Sequence, residues 1–339
     1  QKWAPEQATL MEVCGTHTVA IARNGLRSMM PEGTRLASGP GCPVCVTSNK
    51  DIDTVIALAR IPGVKITTFG DMTRVPGSTS SLLKEQAAGR DINIVYSPLD
   101  ALKIAQENPE SEVVFVGVGF ETTTPLVAMA IKRAQALGLK NFSVFVAHKN
   151  MPNALEAIVS DPSLKIDALI LPGHVSTIIG MKPYEFLAQK YGVPGVITGF
   201  EPVDVLQGIA MIMRQLHEGR AEIEIAYKRG VEAQGNPIAL AAIDEVFETV
   251  DTTWRGLGLI PQSGYAIREK YKDFDAFKRF QPEVELTQEP KGCRCGDVLR
   301  GAMAPNECPL FRRVCTPENP VGPCMVSSEG SCAAYFRYL

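Results

Sequence analysis

Short runs of β-branched residues alternate with helical stretches along most of this 339-residue chain. The run Val113–Val118 is continuous and β-branched, as in a strand that is buried on both faces. Strands are predicted at Thr34–Ala37, Val64–Phe69, Ile92–Tyr96, Val113–Val118, Phe142–Ala147, Ala168–Leu171 and Val193–Thr198. Because strands that alternate with helices form parallel sheets covered by helices, the predicted fold class is α/β.

Helix starts are marked between these strands. Asp51 is predicted to cap a helix over Ile52–Arg60. Ser97 and Pro98 place a capping residue and a first-turn proline at the start of the next helix.

The chain is too long for one typical core, so several domains are expected. The sequence Gly-Phe-Glu occurs at 119–121 and again at 199–201, each time after an apolar strand. After Arg255, proline, glycine and cysteine become frequent and the periodicity fades. We predict two parallel-sheet α/β domains of Rossmann-like type, over 1–140 and 141–255, and a small C-terminal domain over 256–339.

Unusual sequences lie at the ends of the predicted strands. They are Gly39–Cys45, Gly119–Thr124, His148-Lys149 and Gly173-His174. Open parallel sheets bind ligands at the carboxyl ends of their strands. The two α/β domains are therefore predicted to face a central cleft that contains the site.

Composition excludes several classes of partner. A formal net charge of −3 gives no electrostatic case for nucleic acid or an anionic membrane. No apolar run approaches the roughly 20 residues that span a bilayer, and the first residues show no signal-peptide pattern. We expect a cytoplasmic protein that is monomeric on its own. In that compartment, clustered cysteines are metal or redox sites more often than structural disulfides.

Most of the nine cysteines lie after residue 292, at Cys293, Cys295, Cys308, Cys315, Cys324 and Cys332. A cubane iron–sulfur cluster needs four thiolates that converge on one point, so this tail offers four ligands and a spare pair. Zinc knuckles usually use Cys-x-x-Cys pairs, which the tail lacks. The pattern favours a 4Fe–4S cluster, and a zinc-bound or disulfide-stapled tail stays open as the alternative.

The remaining cysteines lie near the N-terminus, at Cys14, Cys42 and Cys45. Cys42-Pro-Val-Cys45 follows a predicted strand and precedes a helix, whose N-terminus favours the thiolate form. This pair suits either redox exchange or half of a metal site. Cys14 and His17 are spaced to share a helix face, where they can bind a soft metal or form a thiolate–imidazolium pair.

Glu121 follows a predicted strand and is a candidate proton acceptor near the cleft. The glycines of Gly117-x-Gly119 resemble the start of a dinucleotide-binding fingerprint. The third glycine is missing and Glu121 would face the phosphates, which argues against such a cofactor. Residues Thr122–Thr124 either have a functional role in the site or only cap the start of a helix.

Together these signatures resemble the HypD family of hydrogenase maturation proteins. The matching segments are Cys14-Gly-Thr-His17, Gly39–Cys45, Gly119–Thr123 and the six-cysteine tail, in order across nearly the whole chain. The resemblance implies two α/β domains and a third domain with a 4Fe–4S cluster. It also implies a role in building the Fe(CN)2CO centre of nickel–iron hydrogenase, with the small chaperone HypC and the cyanide donor HypE as partners.

The resemblance further implies roles for individual residues. Cys14 would hold the transient iron that carries cyanide and carbonyl ligands, together with a HypC cysteine, and His17 would support or protonate it. Cys42 and Cys45 would be a redox-active dithiol. By likeness to ferredoxin:thioredoxin reductase, the cluster ligands would be Cys293, Cys308, Cys315 and Cys332. The adjacent redox pair would then be Cys295 and Cys324.

These roles lead to a hypothesis of electron flow. Electrons would pass from the cluster to the Cys295/Cys324 pair, then to Cys42/Cys45, and then to iron at Cys14. One alternative is a thiol–disulfide oxidoreductase of the ferredoxin:thioredoxin reductase type that acts on protein substrates, which would not need Cys14 or His17. Another is a metal-storing scaffold without catalysis, so whether the chain is an enzyme stays open.

Overall fold

The computed structural model describes residues 3–339 of the chain. Its strands are β1 (Ala8–Glu12), β2 (Thr34–Ser38), β3 (Val64–Thr68), β4 (Asp91–Ile94), β5 (Glu112–Gly117), β6 (Phe142–Val146), β7 (Ala168–Pro172), β8 (Gly195–Thr198), β9 (Ile223–Ile225), β10 (Phe247–Trp254) and β11 (Gly258–Ile267). Its α-helices are α1 (Gly15–Arg23), α2 (Pro43–Val46), α3 (Asn49–Arg60), α4 (Gly70–Arg74), α5 (Leu82–Ala87), α6 (Pro98–Glu107), α7 (Thr124–Ala136), α8 (Met151–Val159), α9 (Gly173–Ile179), α10 (Glu185–Tyr191), α11 (Pro202–Glu218), α12 (Pro237–Val246), α13 (Ala276–Phe280), α14 (Cys295–Leu299), α15 (Pro323–Val326) and α16 (Ser331–Tyr338). Short 3-10 helices lie at Leu26–Met29, Lys182–Tyr184, Glu269–Phe274 and Pro305–Glu307.

Sheet A is parallel and has the strand order β2-β1-β7-β8-β9. Leu10 of β1 lies opposite Leu36 of β2 and Ala168 of β7, which places β1 inside the sheet. Helices α1 and α11 cover the face that carries Leu10, and α8, α9 and α10 cover the face that carries Met11. Both side chains are fully buried, as expected for a strand between two helical layers.

Sheet B is also parallel, with the order β4-β3-β5-β6. Helices α6 and α7 pack on the face that carries Val113 and Phe115. Helices α3 and α5 pack on the other face, against Val114 and Val116. The predicted α/β class with two parallel sheets is confirmed.

The residues that form each sheet do not divide at the predicted domain boundary, residue 140. Strands β1 and β2 pair with β7, so sheet A combines residues 8–38 with residues 168–225. Sheet B is made from the intervening residues 64–146. The ranges 1–140 and 141–255 therefore each contain parts of both sheets. Sequential strands are neighbours in most sheets, but here β1 pairs with β7, and β1 was not recognised as a strand from its sequence.

An antiparallel hairpin of β10 and β11 follows the two sheets, with a register irregularity between Val250 and Thr252. The sequence pattern predicted only a loss of periodicity near this hairpin. Its first strand reaches back to the head of the chain, since Trp254 forms a β-bridge with Thr47. The tail beyond the hairpin contains short helices joined by loops.

Helix boundaries agree with the predictions in part. Ser97 caps α6 and Pro98 is its first residue, as predicted. Helix α3 begins earlier than predicted, because Ser48 and not Asp51 accepts the capping hydrogen bond, from the Asp51 amide. Among the helices formed by residues 3–339, none is long and apolar enough to cross a bilayer.

Candidate functional site

The carboxyl ends of the strands of both sheets face a cavity of about 260 Å³, here called the cleft. Its walls follow β1, β2, β3, β5 and β7. They are formed mainly by Val13, Cys14, Gly41, Pro43, Phe69, Gly119, Thr123, Pro172 and His174. This is the position at which open parallel sheets bind ligands, and it agrees with the cleft predicted from the sequence.

Cys14 is the residue before α1 and lies in the cleft wall, 7% exposed. Burial, followed by the negative charge of Glu329, raises the pKa of its thiol to about 12. Glu329 comes from the loop between α15 and α16, far from Cys14 in sequence. It accepts a hydrogen bond of 2.7 Å from Thr16 Oγ1. A Cβ on Gly15 would lie 2.5 Å from the Glu329 Cβ, so Gly15 allows the tail to approach the start of α1.

The pair Cys42 and Cys45 forms a disulfide beside Cys14. Cys42 precedes α2, and its Sγ accepts a hydrogen bond of 3.2 Å from the Cys45 amide. A Cβ on Gly41 would overlap the Cys14 backbone, and the Gly15 amide donates to the Gly41 carbonyl at 3.0 Å. The structure therefore brings all three N-terminal cysteines together, and we call Cys14, Cys42 and Cys45 the head site.

His17 lies in α1 but its imidazole turns toward the end of β8. Nε2 is 2.9 Å from the Gly199 carbonyl and 2.8 Å from Thr198 Oγ1, and Nδ1 has no hydrogen-bond partner within residues 3–339. Burial lowers the pKa of His17 to about 4, so the ring is neutral at physiological pH. A neutral ring without a hydrogen bond to Cys14 holds α1 against sheet A and is poorly placed to protonate the thiol.

An aromatic stack extends from His17 to the cleft wall. The His17 ring stacks on Phe200 at 4.8 Å between centroids, and Phe200 stacks on His174 at 3.9 Å. His174 lines the cleft. The second Gly-Phe-Glu sequence, at 199–201, therefore positions side chains behind the head site.

The six tail cysteines, here called the tail site, line a second cavity with apolar neighbours that include Val298, Leu310, Phe311 and Met325. Hydrogen bonding with the Cys293 thiol, and then with Cys324, holds the pKa of Cys295 well below its usual range. Within residues 3–339, no three His, Cys, Asp or Glu side chains are placed to hold a single metal ion. A set of donors that consists only of thiols is of the kind that holds an iron–sulfur cluster.

The tail site packs directly against the head site. Helix α2, which carries Cys45, contacts both α14, which begins at Cys295, and α15, which carries Cys324. All three cysteines belong to one hydrophobic core and are at most 5% exposed. Of the six tail thiols, the predicted redox pair thus lies on the helices that contact α2.

Glu121 lies outside the cleft, although Phe120 and Thr122 line it. Its Oε1 accepts a 2.9 Å hydrogen bond from the Met151 amide at the start of α8, and the residue borders a separate cavity with Asn150 and Tyr265. Burial raises the pKa of Glu121 to about 7. The structure places Glu121 away from the predicted position of a proton acceptor, since its carboxylate turns toward the start of α8.

The glycines before Glu121 serve packing. A Cβ on Gly117 would lie 2.7 Å from the His148 ring, and a Cβ on Gly119 would overlap the Thr123 hydroxyl. These contacts give both glycines a role without a dinucleotide phosphate.

Comparison with known proteins identifies the family of this chain. The family model described as "HypD: Hydrogenase formation hypA family" matches residues 1–339. The chain belongs to the HypD family.

HypD-family relatives align over nearly the whole chain. The hydrogenase maturation factor HypD of Azotobacter vinelandii is 50% identical over 339 residues, covering 98% of this chain and 89% of the relative. The HypD of Escherichia coli K12 is 45% identical over 330 residues, covering 97% and 88%. The hydrogenase expression/formation protein HupD of Azotobacter chroococcum is 51% identical over 339 residues, covering 98% and 89%.

Two residues of this HypD-family chain were missed by the sequence analysis. Glu329 lies in the tail and lines the cleft. Arg255 donates a hydrogen bond to the Thr47 carbonyl, and it lines a further cavity together with Cys295. Neither belongs to a motif with a chemical signature. The close approach of Gly15 to Glu329 and of Gly256 to Gly296 reveals them only in three dimensions.

Proposed function

We propose that this chain is a scaffold and redox protein for assembling the Fe(CN)2CO centre of nickel–iron hydrogenase, with HypC and HypE as partners. The observation that carries the proposal is the packing of the six-cysteine tail against the head site, whose Cys14 lines the cleft. Relatives that are named hydrogenase maturation factors support the proposed role of this chain in hydrogenase maturation.

Cys14 is proposed as the ligand of the substrate iron. A thiolate is a soft donor and suits low-spin iron that carries cyanide and carbonyl ligands. Because burial raises the pKa of Cys14 to about 12, the free thiol keeps its proton at neutral pH. Iron binding must displace that proton, and the positive charge of the iron would stabilise the thiolate, with a HypC cysteine as the second ligand of the iron. His17 fixes the helix that presents Cys14, through its contacts with β8.

The tail thiols fit an iron–sulfur cluster, with Cys293, Cys308, Cys315 and Cys332 as its proposed ligands. When bound, a 4Fe–4S cluster supplies single electrons. The tail lacks the Cys-x-x-Cys pairs that are typical of zinc sites, which favours a cluster over a single zinc ion. Cys295 and Cys324 remain as the pair on the helices next to α2.

Thiol–disulfide exchange is the proposed link between the two sites. A thiolate of the Cys295/Cys324 pair attacks the Cys42–Cys45 disulfide, forms a mixed disulfide and releases one head thiolate, which takes up a proton. The second thiol of the pair then closes the Cys295–Cys324 disulfide and releases the other head thiol. In total, two electrons and two protons pass to Cys42 and Cys45, beside Cys14.

Infrared spectroscopy of the chain co-purified with HypC tests the proposal. Cyanide and carbonyl stretches are expected in the wild type and should vanish in Cys14→Ala and in Cys14→Ser, which keeps the size of the side chain. Cys42→Ser should prevent hydrogenase maturation while leaving a folded chain. Stretches that persist without Cys14 would contradict the proposal.

The contact of α14 and α15 with α2 also suits a thiol–disulfide oxidoreductase acting on protein substrates. That function requires only the tail site and Cys42/Cys45. The decisive variant is Cys14→Ala. If it lost the cyanide and carbonyl stretches but kept full disulfide reductase activity on a protein substrate, and if hydrogenase maturation still continued, this second function would replace the first.

A further inference from the structure

Arg255 lies at the turn of the β10–β11 hairpin and is 5% exposed. Its Nε donates to the Thr47 carbonyl at 3.0 Å, and its NH2 group donates to Asn49 Oδ1. Its backbone amide donates to the Val46 carbonyl at 2.9 Å. Arg255 is therefore tied to the end of α2, the helix that carries Cys45.

The same turn also contacts the tail site. A Cβ on Gly256 would overlap the Gly296 backbone, so the two glycines let the turn press against the start of α14. Arg255, Cys293 and Cys295 line one shared cavity. The turn thus lies between the helix of the head site and the first two cysteines of the tail site.

The guanidinium carries its charge under all physiological conditions. Among residues 3–339, its carboxylate partner is Glu289, at 2.9 Å from NH1, and the Glu289 side chain is 64% exposed. Water screens that carboxylate far more than the buried guanidinium, so a net positive charge remains between the two sulfur sites.

We propose that Arg255 is a positioning residue that docks the tail site against α2 and whose fixed charge favours the reduced state of the sulfur sites. The proposal deepens the proposed function and rests on its electron path. Nearby net charge is one of the factors that set the potential of an iron–sulfur cluster, and a buried charge acts through a low dielectric. The charge would therefore ease the arrival of electrons at the tail and their passage to Cys42 and Cys45.

The test is a potentiometric titration of the full-length, anaerobically purified chain, followed by electron paramagnetic resonance and visible absorbance. Arg255→Met should shift the ratio of oxidised to reduced cluster about tenfold toward the oxidised form at a fixed potential, which is about 59 mV for one electron. Arg255→Lys keeps the charge and should shift the ratio much less. Glu289→Gln should shift it in the opposite direction.

Arg268→Gln is the matched control, because Arg268 follows the other end of the same hairpin, and its side chain is 45% exposed. Its removal should leave the potential unchanged. An unchanged potential in Arg255→Met, or equal shifts in the Met and Lys variants, would overturn the role of the charge. If Arg255→Met fails to fold, Arg255→Gln, whose amide can still donate to the Thr47 carbonyl, decides, and an unchanged potential there overturns the proposal.

A second measurement separates this inference from the proposed function. If the purified chain shows no cluster signal, the cluster assignment fails. The equilibrium of Cys42–Cys45 with glutathione in Arg255→Met then tests Arg255 alone. At a pH at which the reduced pair carries a thiolate, a shift of about tenfold toward the disulfide, about 30 mV for two electrons, is expected, and no shift would refute the inference.

Discussion

The cysteines of the head site follow strands of sheet A, whereas those of the tail site lie on short helices and loops between residues 293 and 332. Hydrogen-bonded strands and backbone contacts from Gly41 hold Cys14, Cys42 and Cys45 in place. The tail thiols have little regular structure around them, and their cavity is formed by loops. The head is therefore expected to keep its shape without metal, and the tail to depend on its bound group.

Loss of a tail ligand should have the largest effect. Cys332→Ser, in the largely buried start of α16, should reduce the iron content from about four atoms per chain toward zero and loosen the tail. Iron and sulfide analysis with limited proteolysis measures both effects. Cys42→Ser is the comparison, and it should keep the iron. Full iron in Cys332→Ser would remove this ligand from the assignment.

Glycine substitutions compare the rigidity of the two sites directly. Gly41→Ala would force a methyl group into the Cys14 backbone and should cost about 2–4 kcal/mol of unfolding free energy. In Gly322→Ala, the new Cβ would lie 2.7 Å from the Cys293 Sγ, a side-chain atom that can move, so a loss of about 1 kcal/mol is expected. Denaturant unfolding measures the two losses. Equal losses would show that the tail is as rigid as the head.

Acid should weaken the head through His17. Its folded pKa of about 4 lies below the ordinary histidine pKa of 6.5, so the unfolded state binds more protons as the pH falls. The stability from this group is complete above pH 6.5 and is lost between pH 6.5 and 4, by on the order of 3 kcal/mol. His17→Gln should flatten that part of the stability curve, measured by urea unfolding at each pH. An unchanged slope would show that His17 does not titrate as described.

Glu12 should act in the opposite direction. Burial raises its pKa to about 7 from 4.5, so its contribution is present below pH 4.5 and is lost as the pH rises through 7. Glu12→Gln should therefore gain stability relative to the wild type between these values. The same urea series measures this gain, and its absence would mean that Glu12 is ionised at low pH.

The contact of the tail with Cys14 should give the smallest effect. Glu329→Gln removes a negative charge that raises the Cys14 pKa, while burial, the larger cause, remains. The thiol should therefore react somewhat faster with a small alkylating reagent at a given pH, and Glu329→Asp should react at the wild-type rate. Equal rates in all three proteins would show that Glu329 acts only through its hydrogen bond with Thr16.

Much of sheet B could be predicted from the sequence, since Val113–Val118 and Phe142–Ala147 are mainly apolar runs that form β5 and β6 within one residue. Strand β1 could not, because Ala8–Glu12 ends in a glutamate that is fully buried in the structure. The hairpin of β10 and β11 was missed for a similar reason. Its strands are largely exposed and carry polar residues at positions that a core strand would fill with apolar ones.

The sequence by itself determined the α/β class, the strand ends that carry the site and the two groups of cysteines. These features depend on local periodicity and on residue chemistry that are visible in short segments. Only the tertiary structure decided that β1 joins β7, that His17 faces β8 and that Glu121 leaves the cleft. It also placed Glu329 beside Cys14 and Arg255 between the two sulfur sites. Such contacts depend on how buried faces pack across more than a hundred residues, and no local pattern records that packing.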